Sequence, residues 1–265
     1  MPISSNGHGL PTPRRTLSIN FRIKMRKQFT WYMFLLLALA ISCLLSACGK
    51  NKTAVVDFDG ETEDPALEAR VKKRVKPEPA PEVAVIETPE YGDIVIELYP
   101  NIAPQMVERF QKLIQEGFYS GTTFHRINAE AGLIQGGDPL SKDNDPANDG
   151  SGDSSYPNVP GELSDLLFER GTVGAARRGA TPEVPGQPGL TEAQARDTAN
   201  CQFFITLQRE PQFDKNYTVF GKVIQGINNA EVIMRAPVDE GTERPAEKIV
   251  IKSITLQPRS KYAAN

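Results

Sequence analysis

The sequence predicts a mainly β domain of short antiparallel strands, covered by two helices. Three observations carry this reading. Residues 93–99 alternate apolar Ile94, Ile96 and Leu98 with Asp93, Val95 and Glu97, a strand period on a half-buried sheet. Similar short apolar runs recur around 123–127, 133–137, 172–176, 202–207 and 218–224. Only two longer stretches have helical spacing, one near residue 110 and one near residue 230.

The chain of 265 residues opens on a segment that reads as targeting. Arg22, Lys24, Arg26 and Lys27 precede an apolar run from Trp31 to Leu45. A run of about fifteen residues is short for a membrane span and right for the apolar part of a signal peptide. It ends in Leu45-Ser46-Ala47-Cys48-Gly49, which resembles the bacterial lipobox. That resemblance implies cleavage before Cys48, a diacylglyceryl group on its thiol, and a membrane partner reached through the lipid. Met1 and Met25 both stand as starts, and Met25-Arg26-Lys27 makes an ordinary n-region. Gly49 follows the cysteine in place of the aspartate that commonly retains lipoproteins in the inner membrane, so the expected address is the outer membrane facing the periplasm.

The expected organisation is a signal peptide over 1–47, a flexible tether over 48–82, one domain over 83–257 and a tail over 258–265. The tether has few large apolar residues, an acidic run from Asp57 to Asp64, a basic run from Arg70 to Lys76, and the stiff Pro77-Glu78-Pro79-Ala80-Pro81. Such a segment buries too little to offset its ordering entropy. Flexible-chain statistics give it a reach on the order of 30 Å. A brief helix fits Pro65 to Val75. The net charge of −3 argues against a nucleic-acid partner. With Cys43 in the leader and Cys48 lipidated, Cys201 is the one cysteine left in the mature domain, so no internal disulfide is expected. A buried packing role suits it.

Within the domain, Val83–Glu87 and Asp93–Tyr99 read as a strand pair around the turn Pro89-Glu90-Tyr91-Gly92. Pro104 opens a helix through Glu116, closed by Gly117, with Val107, Phe110, Leu113 and Ile114 as its apolar stripe. A second helix fits Asn228 to Arg235, and Lys248 to Leu256 reads as the last strand.

The most informative residues are Phe124-His125-Arg126-Ile127 and, shortly after, Gln135-Gly136-Gly137-Asp138. Gln202-Phe203-Phe204-Ile205 and Val219-Phe220-Gly221-Lys222 follow downstream. In this order, together with Phe118-Tyr119 and Gly171 to Ala176, they resemble the cyclophilins, the peptidyl-prolyl cis-trans isomerases. The resemblance runs from about Val83 to Leu256. It implies a closed eight-stranded antiparallel barrel capped by two α-helices, where composition alone leaves a sandwich open. It also implies no cofactor and no metal. The expected partners are proline-containing segments of unfolded proteins, and the protein is expected to be a monomer.

The residue types suit that chemistry. Nucleophile, metal cluster and paired carboxylates are missing from these motifs. One cation and a few amides over an apolar floor fit a reaction that breaks no bond. An X–Pro bond rotates slowly because the nitrogen lone pair is shared with the carbonyl. In the twisted amide that lone pair is a free acceptor, which a fixed guanidinium can bind at any working pH. Arg126, Gln135 and Phe204 are therefore the expected catalytic residues: donor to the nitrogen, donor to a flanking carbonyl, and floor for the pyrrolidine ring. Leu133, Ala176, Arg177, Gln202, Phe213 and Tyr217 are expected to bind substrate. His125 is expected to be a satisfied structural histidine pointing away from Arg126 along an alternating strand.

Several positions depart from the family. Its phenylalanine and methionine before the glutamine appear as Gly132 and Leu133. Its alanine-asparagine pair reads Ala176-Arg177. Its cyclosporin-linked tryptophan reads Gln212 or Phe213, and its groove histidine reads Tyr217. Ser141–Asn158 reads as a solvated loop that fails the EF-hand pattern. Thr181–Thr198 is an insertion beside the groove, with a short helix over Thr191–Arg196 that Thr191 caps and Gln194 completes. Arg126, Gln135 and Phe204 favour an active isomerase for envelope proteins. Gly132 and Arg177 favour a slow proline-peptide-binding module or holdase. A third reading is an assembly factor using the insertion as its interface.

Overall fold

The computed structural model describes residues 65–262. The leader, Cys48, the first part of the tether and residues 263–265 lie outside the described residues. The elements are α1 (Pro65–Arg70), β1 (Glu82–Thr88), β2 (Gly92–Leu98), α2 (Pro104–Gln115), β3 (Thr123–Asn128), β4 (Leu133–Gly136) and β5 (Thr172–Ala175). Then come α3 (Glu192–Ala195), β6 (Phe203–Thr206), β7 (Val219–Gln225), α4 (Ile227–Met234), β8 (Ile249–Val250) and β9 (Ser253–Pro258).

The alternating residues of β2 pair in register with β1, from Val83 opposite Glu97 to Thr88 opposite Gly92. Gly92 makes the turn with φ +88°, a left-handed conformation that costs glycine little. Pro104 starts α2, where its missing N–H is no loss. The helix buries Met106, Val107, Phe110, Leu113 and Ile114. Phe110 sits at the centre, its ring 5.2 Å from Tyr119, 5.5 Å from Phe203 and 5.2 Å from Phe220.

All strands join one antiparallel sheet in the order β8-β3-β4-β6-β5-β7-β2-β1-β9. The sheet is nine-stranded, against the eight expected, because the last predicted strand divides. Its first part, β8, pairs with β3, and its second part, β9, pairs with β1. The link between them is bonded to both edges: Ile251 N donates to Thr122 O (2.7 Å) and Lys252 N donates to Glu87 O (2.9 Å). The sheet curls into a barrel, and one continuous chain segment spans its two edges.

Strand β3 carries a bulge. Phe124 faces Gly136 while Arg126 faces Gln135, so His125 is the extra residue. His125 is buried, and neither ring nitrogen makes a hydrogen bond of normal geometry among the described residues. The expected satisfied histidine is thus corrected to a buried one whose ring nitrogens lack a well-formed hydrogen bond.

The boundaries are also corrected. Residues 65–81, expected as tether, lie on the barrel. Val71 and Ala80 are buried, Lys72 N donates to Leu163 O (2.9 Å), Asp165 N donates to Lys72 O (3.1 Å), and Ala80 N donates to Leu98 O (2.8 Å). Backbone ladders and charged anchors hold a segment that has little apolar surface. At the other end, Arg259 N donates to Pro81 O (2.8 Å), and Tyr262 packs on Val83, Val85 and Val95. The insertion has two parts. Thr181 and Leu190 exchange backbone hydrogen bonds at the base of an exposed loop. After it, α3 is capped by Thr191 in the expected capping box with Gln194, and Ala195 is fully buried.

Two outcomes follow from this packing. Phe110→Ala should lower stability by about 4 kcal/mol, the scale for removing a large buried ring, as read by urea denaturation. Burial holds the His125 imidazole below its ordinary pKa of 6.5, outweighing the Asp138 charge and the Thr123 backbone, which pull the other way. The unfolded chain therefore binds more protons than the folded one below that value, and stability falls as pH drops. The melting temperature should fall between about pH 7.5 and pH 5.5, and His125→Leu should flatten that part of the curve.

Candidate active site

Cross-strand register builds the site. Arg126 on β3 faces Gln135 on β4, and Gln135 faces Phe204 on β6. Phe204 in turn faces Gly174 on β5. Residues directly opposite one another share a face of the sheet, so the three expected catalytic residues form one row. The row needs glycine at its fourth place: a Cβ on Gly174 would lie 2.4 Å from Phe204 Cζ.

The polar end of the row is a hydrogen-bonded chain. Arg126 Nε donates to Glu243, and its Nη1 donates to Gln135 Oε1 at 3.0 Å. Glu243 also accepts from Asn128 Nδ2 at 2.5 Å. Gln135 Nε2 donates to Gln202 Oε1 at 2.9 Å. Gln202 Nε2 then donates to Gly150 O (3.0 Å) and Gly152 O (2.9 Å). The amide N–H groups of Gln202 are thus committed to the 150–152 loop, which corrects its expected bond to substrate main chain: it orients Gln135. Asp138, at the end of the Gln135-Gly136-Gly137-Asp138 motif, is buried and binds the same loop by accepting from Gly150 N. Two of the five guanidinium N–H donors of Arg126 are occupied, leaving others for a ligand. Its side chain stays 40% exposed.

The apolar end is an aromatic cluster. Phe168 stacks on Phe204 at 5.6 Å, and the rings of Phe213 (5.4 Å) and Tyr217 (5.5 Å) meet Phe204 edge-on. Leu133, Val219, Tyr99 and Ile102 belong to the same cluster, and Ala176 packs against it. Gly132 before Leu133 has φ +57°, and a Cβ there would meet Gln208 Cγ at 2.4 Å, which explains the departure at that position.

Arg177 stands at the expected wall, but its guanidinium serves the structure. It lies 4.3 Å above the Tyr217 ring, donates from Nε to Asn216 O (3.2 Å) and pairs with Glu192 of α3. Its side chain is 6% exposed, so it is a bracket for the insertion, not a ready donor to peptide. A cavity of about 340 Å³ opens between Gln135, Gln202, Ala176 and Ser151. A second cleft of about 470 Å³ is bordered by Arg126, Gln135 and Glu243, and also by His125. The bulge breaks strict alternation, so His125 does not point away from Arg126's cleft as expected. Cys201 is a buried thiol whose pKa burial pushes up to about 12, which suits the expected packing role.

Sequence reasoning missed Glu243, Phe168 and Asn216. Each lies in an irregular stretch without periodicity. The acidic residue in Thr242-Glu243-Arg244 resembles many surface charges until the fold brings it to Arg126.

Comparisons with known proteins bear on the family and the fold. Residues 83–256 match the model of the family described as cyclophilin type peptidyl-prolyl cis-trans isomerase/CLD. A probable peptidyl-prolyl cis-trans isomerase of Brucella suis biovar 1 is 35% identical over 179 residues, covering 66% of this chain and 83% of the relative. Peptidyl-prolyl cis-trans isomerase-like 3 of Gallus gallus is 34% identical over 178 residues, covering 66% and 96%. A crystal structure of a Cryptosporidium parvum cyclophilin-type isomerase superposes with a TM-score of 0.54 at 29% identity, covering 66% of this chain and 97% of that one. The same protein crystallised in the presence of the dipeptide Ala-Pro gives a TM-score of 0.53 at 28% identity, covering 66% and 98%. A curled antiparallel sheet, the row of Arg126, Gln135 and Phe204, and these matches lead to one assignment: the chain belongs to the cyclophilin-type peptidyl-prolyl cis-trans isomerases.

Proposed function

We propose that this isomerase rotates X–Pro bonds in protein segments of a bacterial cell envelope, with Arg126 as the group that stabilises the twisted amide. The observation that carries the reading is the row Arg126–Gln135–Phe204, with Glu243 and Gln202 holding its polar members. The proline ring rests against Phe204 and Leu133. A guanidinium N–H of Arg126 meets the lone pair that localises on the prolyl nitrogen as the amide twists. The second N–H of Gln135 Nε2, beyond the one given to Gln202, binds a flanking carbonyl. Because the donors are oriented before substrate arrives, little reorganisation is left for the transition state.

The envelope location rests on Leu45-Ser46-Ala47-Cys48. Each buried methylene of an acyl chain adds about 0.8 kcal/mol of membrane affinity, and two or more chains make anchoring stable. A lipid on Cys48 would hold the isomerase at the outer membrane, facing the periplasm, where unfolded clients arrive.

Two measurements test the proposal. Arg126→Ala should lower turnover on a proline tetrapeptide about a hundredfold, the cost of one preorganised charged donor, with an unchanged far-ultraviolet dichroism spectrum. Turnover like the wild type would remove Arg126 from the mechanism. Cys48→Ser should abolish incorporation of labelled palmitate in cells, and normal labelling would exclude the lipobox.

A further inference from the structure

Residues 68–76 add no strand to the nine-stranded sheet, and their side chains reach the loops around the aromatic end of the groove. Glu68 accepts from Lys215 Nζ at 2.7 Å and pairs with Lys73 at 2.6 Å. Lys215 lies between Phe213 and Tyr217 and has φ +58°, a left-handed conformation unfavourable for a residue with a Cβ. Arg70 forks onto Asp197, at the end of the insertion, and donates from Nη2 to Gly161 O at 3.2 Å. Val75 packs against the cluster that contains Phe204 and Leu133.

These contacts close a ring of interactions. Arg196, next to Asp197, donates from Nη2 to Asn216 Oδ1 at 3.0 Å. Asn216 follows Lys215 directly and is bonded again through its carbonyl to Arg177, whose guanidinium covers Tyr217. The segment therefore grips both sides of the loop that presents Tyr217 and Phe213 to Phe204. Within the ring, the left-handed Lys215 is fixed by its own ion pair.

We propose that residues 68–76 are a strap that positions Phe213 and Tyr217, so that Glu68 and Arg70 set peptide affinity from outside the groove. The proposal rests on the isomerase reading for its choice of substrate. The strap touches no reacting atom, so its loss should weaken ground-state and transition-state binding alike and leave the bound complex's turnover nearly intact.

The test uses the full chain and a fluorescent tetrapeptide with a central Ala-Pro bond. In Glu68→Ala/Arg70→Ala, Kd and KM should rise about fivefold, the upper range for exposed ion pairs, with kcat within about twofold. Hydrogen exchange should speed up at the Asn216 and Tyr217 amides, which donate to Phe213 O at 3.0 and 3.2 Å. The β1–β2 amides should keep their protection. Unchanged affinity in the double variant overturns the proposal. So does faster exchange spread equally through β1 and β2, which would make the strap a general stabiliser. If the wild type shows no turnover, the isomerase reading falls instead, while Kd and exchange still decide the strap.

Discussion

The pairing of Arg126 with Gln135 and of Gln135 with Phe204 fixes everything that a peptide would meet. Sheet side chains alternate between faces, so a slip of one residue in β4 would turn Gln135 into the core and bring Ile134 to the groove. The register is pinned on both sides. The bulge at His125 sets how β3 meets β4, and the bare Gly174 leaves room that the Phe204 ring occupies. The aromatic stack on Phe168 then holds the floor flat.

Charge placement follows from that register. A guanidinium on an exposed strand would sample many rotamers. Glu243 and Gln135 take two of its donors and leave the others aimed outward. The pair contributes little stability, since partly exposed ion pairs are worth at most about 1 kcal/mol. Its contribution is orientation, at the cost of part of the positive field. The same economy appears at Gln202, whose amide joins Gln135 to the 150–152 loop, so hydrogen bonds link the loop to the row.

Much of this was legible in the chain. The strand runs follow a period of two, Pro104 and Gly117 bracket α2, and Thr191 with Gln194 marks the start of α3, because each of these signals is local. The row of Arg126, Gln135 and Phe204 was legible only through the order of several motifs. Glu243 was not, because a carboxylate in an irregular loop has no local mark of its distant partner. The bulge at His125 depends on how two strands meet, which alternation within one strand cannot reveal. The strap was misread for a related reason: its composition is that of a linker, and its anchors are backbone ladders and ion pairs to residues far along the chain.

The division of the last strand bears on how the protein is made. Chain synthesis delivers β1 well before β8 and β9, yet β9 pairs with β1 and β8 with β3. Until β8 and β9 emerge, the edges formed by β3 and β1 present unpaired backbone groups, the kind of edge on which neighbouring chains associate. A nascent molecule thus lacks its native closure even when nearly all of its core residues are available, and the long sequence separation between the partners makes that step a slow one. The isomerase would itself pass through a vulnerable open form until β8 and β9 are in place.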